Sequence, residues 1–87
     1  MMYPYGQVVV STAGRDRGYL LVFVGMLDGM PAFCDGRERP LERPKKKNPA
    51  HVRPTGVVLD SGDLRGNKRL RKVLSALSED AADALKQ

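Results

Sequence analysis

Apolar residues follow two different rhythms along the chain. Gln7 to Thr12 (QVVVST) is a short β-branched run, and Tyr19 to Leu27 (YLLVFVGML) is a longer one, apolar on both parities. Branching at Cβ favours extended backbone, and a strand apolar on both faces belongs between two layers or inside a small closed barrel. Between the runs lies Ala13-Gly14-Arg15-Asp16-Arg17-Gly18, in which Gly14 and Gly18 bracket three charged residues. Glycine reaches positive φ without steric cost, so this stretch predicts a polar turn. Asp28-Gly29 is a dipeptide favoured in two-residue hairpins and predicts that Met30 to Cys34 returns as the next strand. Pro31 has no N–H to give a ladder, which places it at the strand start or on an unpaired side. Asp35-Gly36 is a second tight-turn signal and puts a possible fourth strand at Arg37 to Leu41.

Residues Glu42 to Pro49 (ERPKKKNP) interrupt the pattern. Three prolines nearby discourage a helix and adjacent lysines have no apolar partners, so an extended, solvated loop is expected. Ala50 to Val52 and Gly56 to Leu59 read as two short strands separated by Pro54. Closely spaced short strands leave no room for crossover helices, and the expected fold is mostly β: a small SH3-like barrel of about five strands over residues 1–59. The period then changes. Leu70, Val73, Leu74, Leu77, Ala81, Ala84 and Leu85 recur at helical spacing, predicting a helical C-terminal extension over 60–87. Asn67 is the expected N-cap, and Ser78-Glu79-Asp80 is a place where the helix could break and restart.

Length and charge narrow the function. At 87 residues the chain fits one domain, two at most, and buries only about 60–65% of the surface its unfolded form exposes, which excludes a large enzyme with an enclosed site. The net charge of +5 is unevenly spread. Arg37 to Arg53 holds seven basic and two acidic residues, and Arg65 to Lys72 holds five basic residues and no acid. Such clusters favour a polyanion, nucleic acid above all. A membrane surface fits less well, because Leu41 is the only large apolar side chain in the basic stretch Pro40 to Pro49. Four cations, Lys68, Arg69, Arg71 and Lys72, stand near the helix start, where the macrodipole disfavours them by tenths of a kcal/mol each. With one Cys and nothing at residues 1–7 resembling a secretory signal, a reducing, cytoplasmic setting is the default expectation.

Catalytic chemistry finds little to work with. Cys34 and His51 occur once each, whereas a zinc site needs three or four ligands, so no metal or cofactor is expected. Cys34 reads as a small buried strand residue. The serines lack a nucleophile-elbow setting, and one histidine among basic residues makes no triad. Asp16 stands between Arg15 and Arg17, which favours its ionised form over the raised pKa of a general acid. The glycine-bracketed turn lacks phosphate-loop spacing.

The stretch from Gly6 through Val24, a glycine, a valine-rich strand, a glycine-bracketed charged turn and a second hydrophobic strand, resembles the KOW motif of ribosomal proteins and transcription-elongation factors. Its continuation from Asp35 through Val52, with a lysine run ending near His51, resembles the bacterial relatives of the eukaryotic and archaeal large-subunit ribosomal protein L14e. The resemblance spans roughly residues 6 to 56. It implies an SH3-like barrel, RNA binding, ribosome association and no enzymatic activity. Gly14 and Gly18 match the family's turn glycines, and Arg15 and Arg17 its polar turn positions. Arg37, Arg39, Arg43 and Lys45, Lys46 and Lys47 match its basic strand and loop, and His51 the histidine before its last strands. Tyr19 departs from the pattern, standing where the motif commonly has a basic or small residue.

The same residues make physical sense without the family. Structured RNA offers phosphates and 2′-hydroxyls more readily than base edges. Arg15, Arg17, Arg37, Arg39, Arg43, Lys45, Lys46, Lys47, His51 and Arg53 are the candidate contacts, joined by Lys68, Arg69 and Lys72 of the helix. Tyr19 and Phe33 could stack on a base, but barrel packing is the expected role of both. The expected partner is structured RNA, ribosomal RNA in particular, with ribosomal proteins as possible neighbours. A second class is a protein-interaction barrel for an acidic partner; its groove would have to come from Tyr3, Tyr5, Tyr19, Phe23 and Phe33. No basic recognition helix nominates specific DNA.

Overall fold

A computed structural model describes the backbone of residues 3–86 and the side chains of residues 3–78. Five strands form one antiparallel sheet: β1 (Gln7–Ser11), β2 (Leu20–Leu27), β3 (Met30–Cys34), β4 (Lys45–Lys46) and β5 (Val52–Val58). Their order is β4-β3-β2-β1-β5, and the helix α1 (Asn67–Lys86) follows. The expected strand number stands, but the expected closed barrel does not. β4 and β5 are the two edges and do not pair with each other. A β4 of only two residues is too short to carry a ladder across the gap.

Both faces of this open sheet are nonetheless buried, which accounts for the apolar run on both parities. On one face Val8, Val22 and Cys34, in register across three strands, pack with Leu59 and with Leu70 and Leu74 of α1. On the other, Val9, Leu21, Phe23 and Phe33 pack with Val52 and the half-buried Tyr3. The second cluster contains no described side chain of α1, yet Val9, Leu21 and Phe33 are at 0% exposure, covered by Tyr3 and by a curl of the sheet that brings in Val52 of the edge strand. Tyr3 adds an edge-on ring against Phe23, with centroids 5.6 Å apart.

Two ladder irregularities supply the curl, since a bulge bends and twists the strand that carries it. One lies between Phe23 and Gly25 of β2, where Gly25 has φ +124°. The other lies between Gln7 and Val9 of β1, opposite β5. There the buried Gln7 amide donates to the carbonyls of Val8, Thr55 and Val57 at 2.9, 2.8 and 3.2 Å. The Thr55 hydroxyl also donates to the Val8 carbonyl, so polar groups loosened by the irregularity are still satisfied.

Several local expectations change. Arg37 to Leu41 is not a strand, because the Asp35 carboxylate accepts from the backbone N–H groups of Arg37 and Arg39 and holds the segment as a turn. The fourth strand lies inside the stretch expected to be a solvated loop, with Phe33 opposite Lys45 and Ala32 opposite Lys46. Ala50 to Val52 is mostly a 3-10 turn over Pro49–His51, capped by Asn48, and β5 runs through Pro54 without a break. An edge strand tolerates the missing N–H. Asn67 begins the helix as expected, but its side chain accepts from the Leu41 N–H and donates to Glu42 instead of capping its own helix. The helix does not break at Ser78. Leu70 and Leu74 of the apolar stripe are buried and Val73 and Leu77 pack beside them; Ala81, Ala84 and Leu85 lie outside the described side chains.

The turn signals hold. Asp28 and Gly29 both have positive φ, the pairing that a two-residue hairpin of the preferred twist requires, and Gly14, Gly18 and Gly36 are positive as well. Gly6 is the most confined: its φ is +94°, and a Cβ there would stand 2.3 Å from the Leu59 carbonyl oxygen. Gly6→Ala is therefore expected to lower stability by about 2 kcal/mol or more, measured by urea denaturation, since it combines left-handed strain with a backbone clash. Gly56→Ala in β5 meets nothing within 4 Å and serves as the control, with a neutral or slightly favourable change.

Candidate nucleic-acid interface

The turn between β1 and β2 folds around its own acid. Gly18 donates its N–H to the Ser11 carbonyl at 2.7 Å, Tyr19 donates to Asp16 at 2.8 Å, and Ser11 donates to Tyr19 at 2.9 Å. These bonds turn the Asp16 side chain inward, where the residue is only 9% exposed. One carboxylate oxygen accepts from the Ser11 hydroxyl at 2.6 Å and from the Lys47 ammonium at 3.1 Å, and the other accepts from the Arg39 guanidinium. Lys47 also donates to the Ala13 carbonyl at 3.0 Å. Burial by itself raises the Asp16 pKa, but the hydrogen bonds from Ser11 and Lys47 and the charges of Arg39 and Lys47 outweigh it and hold the carboxyl below its ordinary value. Asp16 is thus ionised as expected, through residues distant in sequence and not through its neighbours Arg15 and Arg17.

This clamp sorts the candidate cations. Arg39 and Lys47 point into the domain, with side chains 20% and 11% exposed. Lys46 pairs with Asp28 and Arg69 with Asp63, each at 3.2 Å. Arg15, Arg17, Arg37, Arg43, Lys45, His51, Arg53, Lys68 and Lys72 are exposed. Among the described residues none of these nine has an acidic partner within 4 Å. Arg71, of the same helix cluster, donates to the Gly36 carbonyl at 2.7 Å and fastens the loop after β3 to the helix.

Two adjoining clefts gather part of the set. One, of about 270 Å³, is lined by Arg15, Asp16, Tyr19, Glu38, Arg39 and Lys45. The other, of about 330 Å³, opens between the loop after β3 and α1; its charged lining is balanced, with Arg37, Arg39 and Arg71 against Asp16, Asp35 and Glu38, and Tyr19 and Ser75 stand beside them. Asp16, Tyr19, Glu38 and Arg39 belong to both. Arg17, Arg43, Lys46, Lys47, His51, Arg53, Lys68, Arg69 and Lys72 line neither.

Tyr19 corrects an expectation. It is 61% exposed and does not pack into the core, because β2 begins only at Leu20 and Tyr19 still belongs to the turn. Phe33, in contrast, is fully buried. Phe23 and Phe33 are core residues packed with Tyr3, so they cannot line the open aromatic groove that a peptide-binding barrel would need. Glu38 lies at the junction of both clefts, a place that has no signal in the linear sequence. Cys34 is buried, and burial, with Asp35 and Glu42 nearby, pushes its thiol up to about 11. Among the described residues no three His, Cys, Asp or Glu side chains come together as metal ligands. The sequence matches no protein-family model and no curated protein.

The Asp16 clamp has a definite pH signature. Its folded pKa lies below the ordinary 3.8, so the clamp contributes fully above that value and its contribution is lost as pH falls through the lower folded value. Asp16→Asn is expected to cost about 2–3 kcal/mol at neutral pH, because it leaves two enclosed cations unpaired. The variant should also lose less stability than the wild type between about pH 5 and pH 2, as read from urea midpoints across that range.

Proposed function

We propose that this chain is a non-catalytic RNA-binding protein that grips structured RNA, ribosomal RNA in particular, by directing Arg and Lys side chains at phosphates. One observation carries the reading: Arg15, Arg37 and Lys45 stand exposed and unpaired around two adjoining clefts, on backbone that the inward-facing Arg39 and Lys47 hold in place. Cations that neither pair nor pack contribute little to folding, and their convergence from three segments raises the local potential toward a polyanion. The β1-turn-β2 unit, with Gly14 and Gly18 both at positive φ, fits the KOW resemblance, which favours RNA over other polyanions. In this reading the RNA-facing part of the domain is the turn and loop cluster at one end of an open, curled sheet, and the protein works in the cytoplasm in association with ribosomes.

The test is binding to a ribosomal RNA fragment and to an unrelated structured RNA across a salt series. Each phosphate contact contributes about 0.7–0.9 to the magnitude of the slope of log affinity against log salt, so three to five contacts give a slope of about −2 to −4.5. Changing Arg15, Arg37 and Lys45 together to Gln is expected to reduce that slope by about 2 and to weaken both RNAs alike, with the fold retained. A salt-independent affinity would exclude the phosphate-led mechanism.

A further inference from the structure

We propose that Tyr19 and Glu38 form a receptor for one unpaired guanine in an RNA loop or bulge, with its flanking phosphates on Arg15, Arg37 and Lys45. This rests on the RNA-binding reading and adds to it a means of choosing between RNAs.

Tyr19 presents an aromatic face at the point where the two clefts meet, and its backbone is fixed on both sides by the Tyr19 N–H to Asp16 bond and the Ser11 N–H to Tyr19 bond. With the backbone held in this way, only the side-chain torsions remain to be ordered when the ring stacks on a base. Every base has a face to stack, but a paired helix keeps those faces covered, so Tyr19 selects for an unpaired nucleotide. The 330 Å³ cleft lies at the small end of ligand sites, suited to a single base and not to a helix.

Glu38 then discriminates among bases. It lines both clefts and has no ion-pair partner among the described residues. Its loop is pinned on either side, because the Asp35 carboxylate accepts from the N–H groups of Arg37 at 2.8 Å and Arg39 at 2.9 Å. An unpaired negative charge in the same clefts as Arg15, Arg37 and Lys45 opposes phosphates, and it is useful there only if something donates to it. A carboxylate offers acceptors alone. Guanine places two donors, N1–H and the 2-amino group, side by side on its pairing edge, matching two carboxylate oxygens. Adenine and cytosine set one amino donor beside a ring nitrogen that repels the second oxygen, and uracil flanks its one N–H with carbonyls.

The probe is a set of labelled RNA hairpins carrying a single-nucleotide bulge of G, A, C or U, with a fully paired hairpin of equal length, titrated by fluorescence anisotropy at fixed salt. The wild type is expected to bind the G bulge about 10-fold or more tightly than the paired hairpin, and to prefer G over the other three. Tyr19→Ala should remove the advantage of bulged over paired RNA, while Tyr19→Phe keeps it. Glu38→Gln should abolish the preference for G and, by removing a repulsive charge, tighten the paired hairpin. Circular dichroism checks that each variant is folded. Equal loss of bulged and paired RNA in Tyr19→Ala, or equal tightening of all four bulges in Glu38→Gln, would overturn the proposal. Salt-dependent binding with no preference among the hairpins overturns this inference and leaves the RNA-binding reading intact; the absence of salt-dependent binding to any of them removes both.

Discussion

A carboxylate that folds beneath its own turn has to find cations or lose its charge. Asp16 does so with a hydroxyl from β1, a guanidinium from the loop after β3 and an ammonium from the residue after β4. Desolvating one ion costs several kcal/mol even after relaxation, so the turn can bury this carboxylate only when those segments close on it. The partners lie 5, 23 and 31 residues away in sequence. One buried charge thereby draws two remote stretches to the end of β1 that leads into its own turn. The other ion pairs among the described residues are far more open, with Asp28 at 84% and Arg69 at 65% side-chain exposure. Exposed pairs of this kind contribute about 0–1 kcal/mol and organise little.

That constraint changes what the charge distribution means. Two dense basic segments read as two patches aimed at a polyanion, but the fold spends part of each internally. From the first, Arg39 and Lys47 serve Asp16 and Lys46 serves Asp28. From the second, Arg69 serves Asp63 and Arg71 serves the Gly36 carbonyl. Cations near the helix start, unfavourable for the helix alone, are thus partly explained by what they hold: Arg71 fastens the loop whose turn Asp35 organises. The cations left over are fewer than the sequence suggests, and Arg15, Arg37 and Lys45 come together from different segments.

Much of the fold was legible wherever a local rule and the tertiary structure agree. Asp28-Gly29, the charged turn between Gly14 and Gly18, and the apolar stripe through Leu70 and Leu74 each carry their own geometry. The fourth strand was not legible, because Lys45 and Lys46 have no strand signal and become extended only by pairing with Ala32 and Phe33. Arg37 to Leu41 looked like a strand because the competing bonds to Asp35 form across two and four residues, a pattern that charge and hydropathy do not reveal. Barrel closure failed for a related reason: the number of strands can be counted from turns, whereas the length of the last ladder cannot. Of the site, the basic composition was visible and its division into inward and outward cations was not. Tyr19 was misplaced because β2 is apolar on both parities, so alternation gives no sign of which residue is the last of the turn.

The burial of both sheet faces limits where exposed charged and aromatic side chains can gather. A five-stranded sheet often offers one open face to a ligand, but here one face is covered by Leu70 and Leu74 of α1 and the other closes on Val9, Leu21 and Phe33. Neither face has aromatic rings to spare, since Phe23 and Phe33 are spent on the core together with Tyr3. Exposed Met26 and Leu27 lie in the β2-β3 hairpin, and exposed Tyr5 and Val58 lie elsewhere; none of them lines either cleft. Scattered apolar exposure of this kind is ordinary for a protein surface. Tyr19 differs because its exposure coincides with unpaired cations and with backbone fixed from both sides. A domain this small commits its strands and its helix to burying a core, so its unpaired charges are left to the segments between them, and Asp16 ties the first of those segments to the loop after β3 and to Lys47.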